Sequence, residues 1–163
     1  MRDVTLVFLV KKEDGFVTQV LLAMKKRGFG VGRWNGVGGK LEKGESIVAG
    51  AKREAKEEIG VTLGELEKVA EIDFYFKPNP EWDQKMHVFL ATGWDGEPIE
   101  SEEMLPEWYF VNKLPFASMW PDDPFWLPQV LSQKKILGRF VFADNDVILE
   151  QEVREVLDFS ELL

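Results

Sequence analysis

Residues 5–10 form an almost wholly apolar, β-rich run, and residues 16–24 form a second one. Glu13-Asp14-Gly15 between them is a turn signal of the hairpin type, so the chain is expected to open on a β-hairpin. Lys25-Lys26-Arg27-Gly28-Phe29-Gly30 and the glycines through Gly39 then break the periodicity over a span too long for a simple turn. Loops of that length are often functional. From Ile47 to Ile59 the pattern is helical, and Gly60 stands where a C′ glycine would end the helix. With Ile47 at zero and about 100° per residue, Val48, Ala51, Ala55 and Ile59 fall on an arc from about 40° to about 120°. That arc is expected to face the core, with Glu54, Glu57 and Glu58 on its border and Lys52, Arg53 and Lys56 on the other side.

Strand-like stretches follow at residues 72–76, 86–92 and 108–111, separated by loops that carry proline and glycine. Trp120-Pro121-Asp122-Asp123-Pro124 reads as a helix start, with Asp123 as N-cap and Pro124 at N1, leading a short helix to about Leu131. Residues 136–142 and 147–156 are expected to close the chain as a hairpin around Asp144-Asn145-Asp146. Strands mixed with two helices make this an α/β (α+β) chain, with no internal repeat, low-complexity tract or linker.

Length and composition narrow what such a chain does. At 163 residues it suits one domain spanning 1–163, large enough for a real core. No apolar run approaches the roughly 20 residues that cross a bilayer, and the first residues lack a signal peptide's apolar stretch. A soluble, cytoplasmic protein, expected as a monomer, fits best. There is no cysteine and only one histidine, His87, which excludes disulfides and thiolate catalysis and leaves any metal to oxygen ligands. His87 lies in an apolar run and reads as a packed strand residue. The net charge of −9 is the wrong sign for gripping a nucleic-acid polymer, so none is expected as partner. A small anionic ligand remains compatible if local cations or a bound metal invert the sign at its site.

The chemistry concentrates on the helix. Glu54, Glu57 and Glu58, at i, i+3 and i+4, project toward a common volume, and their mutual repulsion asks for a cation. Carboxylate oxygens suit Mg²⁺, with Mn²⁺ as an acceptable substitute, and such ions neutralise polyphosphate oxygens. A bare E-x-x-E-E also reads as a solvated acidic face; its surroundings favour the metal. Gly39, Glu45, Arg53-Glu54-Ala55-Lys56-Glu57-Glu58-Ile59-Gly60-Val61 reproduce the pattern G-x5-E-x7-R-E-U-x-E-E-x-G-U, with U a bulky aliphatic. This resembles the Nudix box, departing only at Ala55, which is smaller than the usual aliphatic.

The resemblance implies an α/β/α sandwich around a mixed sheet and hydrolysis of a nucleoside diphosphate linked to a further group. By position it implies metal binding by Glu54, Glu57 and Glu58 together with Gly39 and the loop acid Glu103, with Glu58 or Glu103 handling the proton. Glu45 and Arg53 would orient the helix and its loop. Lys25 through Gly30, Gly32-Arg33-Trp34-Asn35-Gly36, Gly38-Gly39-Lys40 and Met119 through Asp123 resemble, more narrowly, the family's oxidised-purine nucleoside triphosphatases of the 8-oxo-dGTP diphosphatase type. That likeness implies a base pocket in which Asn35, Asp122 and Asp123 hydrogen-bond the purine edge and Trp120 covers its face. Thr5, Lys25, Phe29, Phe74 and Trp126 would line it. The substrate would be a modified purine nucleoside triphosphate, cut to the monophosphate and pyrophosphate.

Blander readings stand beside these: the two aspartates as a helix cap, the tryptophans as core, the basic cluster as a solvated turn. Hydrolysis of a dinucleoside polyphosphate or ADP-ribose, or a catalytically silent nucleotide-binding module, are the competing functions.

Overall fold

A computed structural model describes residues 1–161. Its strands are β1 (Arg2–Glu13), β2 (Phe16–Lys25), β3 (Trp34–Asn35), β4 (Thr62–Leu63), β5 (Leu66–Phe76), β6 (Gln84–Ala91), β7 (Trp94–Asp95), β8 (Met104–Phe110), β9 (Lys135–Phe142) and β10 (Ile148–Val156). The helices are α1 (Ile47–Ile59) and α2 (Asp123–Leu131).

The expected opening hairpin forms, turning at Asp14 and Gly15 with φ of 51° and 82°. Two consecutive positive φ values give the turn whose twist matches its strands. One mixed sheet runs β10-β9-β5-β6-β1-β2-β3, with β8 also on β2, while β4 and β7 pair separately. β1 lies parallel to β6 and β5 parallel to β9; the other pairs are antiparallel. Residues 4–10 of β1 are buried throughout, because the strand is covered on both faces. Val4, Leu6, Phe8 and Val10 join Trp126, Leu127, Val130 and Leu131 of α2 in one core. Val7 and Leu9 join Ala51, Ala55 and Ile59 of α1 in the other. Alternation along one strand thus sets helix, sheet and helix in three layers.

Helix α1 starts at Ser46, whose hydroxyl accepts from the Ala49 amide at 3.1 Å, and ends at Gly60, whose φ of 75° lets its N–H reach the Lys56 carbonyl. Two corrections apply to its faces. Val48 is 44% exposed, and Ile47 takes the contact with the core at the first turn. Arg53 belongs to the acidic side, where its guanidinium is held by carboxylates.

At α2 the expected cap is displaced. Asp122, not Asp123, flanks the helix, Asp123 is its first residue, and no side-chain cap bond forms. Both aspartates are turned instead into the protein, at 3% and 2% exposure. The closing hairpin forms as β9 and β10. His87 is a buried strand residue, its ring between Asp3 at 2.9 Å and Lys68 at 3.2 Å.

Candidate active site

Strand β1 pairs with β2 only over its second half, from Val10 on, so the backbone groups of its first half need another partner. The loop after β3 supplies it. Val7 and Val37 exchange N–H to carbonyl bonds of 2.6 and 3.0 Å, and the Thr5 N–H donates to the Gly39 carbonyl at 2.9 Å. This close approach demands glycine. A Cβ at Gly38 would lie 1.9 Å from the Thr5 carbonyl oxygen, and one at Gly39 would lie 2.8 Å from the Glu54 carboxylate. The loop therefore passes between strand and helix, where the Gly38 N–H donates to Glu58 Oε2 at 3.3 Å.

Arg53 holds the other side of this loop. Its Nε and Nη2 donate to the two Glu45 oxygens at 2.8 and 3.0 Å, Nη1 to Glu54 and Glu57 at 3.1 Å each, and Nη2 also to the Lys40 carbonyl at 3.1 Å. All five N–H groups of the guanidinium are used. These carboxylate partners raise the pKa of Arg53, while its bonds lower that of Glu45. Arg53→Ala is expected to lower kcat/KM by about 10²-fold by loosening loop and helix together. Arg53→Lys should rescue little of this, because an ammonium offers three donors from one point. Steady-state kinetics on both variants check it.

The three acids of α1 are not equivalent. Glu58 is buried, and burial together with the neighbouring Glu54 pushes its pKa up to about 9. Glu57 is largely exposed and is joined to Glu54 through Arg53. Among the described residues, no three acidic or histidine side chains converge closely enough to hold a metal ion as they stand. The common volume expected from the helix spacing is thus shared by Glu54 and Glu58, with Arg53 drawing Glu57 and part of Glu54 aside. The donor set still fits a hard cation, since an ion beside Glu54 and Glu58 would favour the charged form that burial opposes.

Glu103 lies on the loop before β8, with its carboxylate half exposed and accepting from Arg27 at 3.3 Å. Ser101 ties this loop to the helix, donating to the Glu58 carbonyl at 2.8 Å and accepting from the Met104 N–H at 3.1 Å. No motif in the sequence gives Ser101 this tethering role.

Beside the Gly38-Gly39 loop a cleft of about 600 Å³ opens, lined among others by Thr5, Lys25, Phe29, Asn35 and Trp120. A narrower recess continues from it to Phe74, Asp122 and Asp123. The Asn35 side-chain oxygen, Oδ1, accepts from the Gly36 N–H at 2.8 Å, which leaves the side-chain N–H groups open toward the cleft. Asp122 accepts from the Trp126 indole N–H at 2.8 Å, whereas one oxygen of Asp123 is buried with no hydrogen bond among the described residues. Burial pushes Asp122 up to about 6, and burial with the Asp122 carboxylate beside it pushes Asp123 well above the ordinary range.

Trp126 does not line the recess, contrary to expectation. It is wholly buried, packed near Phe8, and acts on the recess by positioning Asp122. Arg33 was missed: its guanidinium lies 4.0 Å over the Trp120 ring and pairs with Asp146 at the tip of the β9–β10 hairpin. Phe29 reaches the same tryptophan, with ring centres 5.2 Å apart.

Known proteins resemble this chain in sequence and in fold. Residues 1–130 match the NUDIX domain model, and the chain belongs to the Nudix family. It is 51% identical over 141 residues to the oxidized purine nucleoside triphosphate hydrolase of Mus musculus, covering 86% of this chain and 90% of that protein. The protein of the same name from Danio rerio is 48% identical over 140 residues, covering 86% and 89%. Among solved structures, a MutT protein from Bacillus halodurans superposes with a TM-score of 0.80 at 28% identity, covering 94% of this chain and 97% of that one. Proteins of this family generally use divalent metal ions.

Proposed function

We propose that this protein hydrolyses oxidised purine nucleoside triphosphates, of the 8-oxo-dGTP and 2-hydroxy-dATP type, to the monophosphate and pyrophosphate. The observation that carries the reading is the recess in which Asn35, Asp122 and Asp123 stand unsatisfied or half-satisfied beside Trp120, next to the acid-bearing helix. A purine is flat, apolar on its faces and polar on its edge. Trp120 offers a face, and the amide and two acids offer donors and acceptors to the edge. With one of the two coupled aspartates protonated, the pair both donates and accepts, so it can meet more than one oxidised purine. The names of the mouse and zebrafish relatives support the same substrate class.

Glu54, Glu57 and Glu58, with Gly39 and Glu103 nearby in the chain's loops, are the groups that would hold the metal, proposed as Mg²⁺. When bound, such an ion neutralises phosphate oxygens and activates water for attack on phosphorus. The chain's own contribution is positional. Arg53 and Glu45 fix the loop against α1, and the Gly38 N–H orients the Glu58 carboxylate. Glu58 or Glu103 takes the proton of the attacking water. Lys25, lining the cleft, places a positive charge toward the phosphates of the substrate. The proposal includes residues 1–163 working as one domain, since β9 and β10 beyond the family match complete the sheet. It also includes a monomer acting in the cytoplasm, where nucleotide precursors are found, with no nucleic-acid polymer or membrane as partner; no described helix is long and apolar enough to cross one.

The test is kcat/KM with Mg²⁺ for 8-oxo-dGTP, 2-hydroxy-dATP and dGTP, with phosphorus NMR of the products. A preference for the oxidised purines with pyrophosphate released is the expected result. Equal rates for dGTP, or products other than monophosphate and pyrophosphate, would detach the recess from this role.

A further inference from the structure

Strand β6 sends Met86, Val88 and Leu90 into the α2-side core, all three buried. Gln84 occupies the next position of that same alternating row, where the sheet ends, with Arg2 of β1 and Phe74 of β5 as its register partners. It is half-buried and lines both the recess and the wider cleft. Its neighbours there include Phe74, Phe76, Met86 and Phe142, and its side-chain amide makes no hydrogen bond among the described residues. Its polar atoms are not sealed from solvent, so the amide is tolerated in the free protein and stands open to a ligand in the cleft. A polar end to an otherwise apolar row is what a ligand-reading position looks like.

The groups already present define what Gln84 adds. Asn35 has its side-chain oxygen already engaged by the Gly36 N–H and its N–H groups open; Asp122 has one oxygen held by Trp126; Asp123 offers an oxygen. Gln84 alone brings a donor and an acceptor side by side with neither engaged. The complement of a primary amide is an edge with an adjacent N–H and C=O, which it pairs through two bonds at once. Oxidation of a purine at C8 creates such an edge on the five-membered ring: N7 gains a proton and C8 becomes a carbonyl. An unoxidised purine presents there an acceptor N7 and a C–H, and can form one bond with the amide at most.

We infer that Gln84 is a specificity-determining residue, whose side-chain amide pairs with the N7–H and C8=O edge of an 8-oxopurine while the aspartates hold the opposite edge. This rests on the oxidised-purine reading of the cleft. Its test compares the parent protein with Gln84→Met and Gln84→Leu, two variants that keep the bulk, lack the amide and continue the apolar row. Each is measured for kcat/KM on 8-oxo-dGTP, dGTP and 2-hydroxy-dATP, with Tm as a check of folding. Both variants should melt near the parent and should lose about tenfold on 8-oxo-dGTP, with a smaller loss on dGTP and on 2-hydroxy-dATP, which lacks the C8 carbonyl. The ratio of 8-oxo-dGTP to dGTP therefore falls. An unchanged ratio, or an equal loss on all three substrates, overturns the role of Gln84 and leaves the substrate assignment standing. A parent protein with no preference for oxidised purines overturns both, and the parent kinetics alone separate the two failures.

Discussion

Glu58→Gln is expected to lower kcat by about 10²- to 10⁴-fold with the fold intact. The glutamine keeps the shape of the side chain and an oxygen that can accept the Gly38 N–H, so the loop stays seated on α1. What disappears is a negative charge that can share a cation with Glu54 or accept a proton. A steady-state kcat on the preferred triphosphate, beside a thermal melt, reads both halves of the expectation. Near-parental turnover in a folded variant would remove Glu58 from the mechanism. The same substitution at Glu103 decides between the two candidates for the proton: this carboxylate is half exposed and paired with Arg27, and a loss as deep as that at Glu58 would assign it the role.

Asp123→Asn should make the protein more stable at pH 8 while lowering kcat/KM for oxidised purines by about 10- to 10²-fold. Asp123 is 2% exposed, has an oxygen with no hydrogen bond among the described residues and abuts the Asp122 carboxyl. Burial pushes Asp122 up to about 6, and burial with the neighbouring Asp122 carboxyl pushes Asp123 well above the ordinary 3.8. The folded protein therefore holds protons that the unfolded chain releases. Their contribution to stability is fully present below about pH 4 and is lost as pH rises through 6 and beyond. The asparagine removes one of the two titrations and the repulsion between them. Melting temperatures of parent and variant should converge at acid pH and separate as pH rises, the variant above. A variant less stable at every pH would mean that Asp123 is a structural partner rather than a group kept for the ligand.

Much of this site could be read from residue order because its parts are local. The carboxylate helix is a single element with its stop at Gly60, and the glycine-rich loop abuts it in sequence. The hairpins at both ends were legible for the same reason, each being two apolar runs around a turn. What escaped depends on tertiary neighbours. Strand β5 begins at Leu66, well before its apolar core, because Lys68, Glu71 and Asp73 are satisfied by ion pairs, Lys68 with Glu71 and Asp73 with Lys85. Those charges hide the strand's first half from any alternation test. Strands β3, β4 and β7, two residues each, exist only because a partner lies alongside. Asp123 looked like a helix cap because Pro124 follows it, yet the helix takes it in as its first residue. Trp126 could not be told from a pocket wall by its type alone; its burial against Phe8 and its bond to Asp122 settle its place behind the wall.

Arg33 and Asp146 are separated by 113 positions, yet together they brace the tryptophan on which a base would lie. Asn145 and Asp146, at φ of 59° and 58°, adopt a left-handed backbone at the hairpin tip from which that brace extends. Arg33 lies within the residues that the family model matches, 1–130, and Asp146 lies beyond them. A change at the hairpin tip would therefore reach the tryptophan through Arg33 without touching α1.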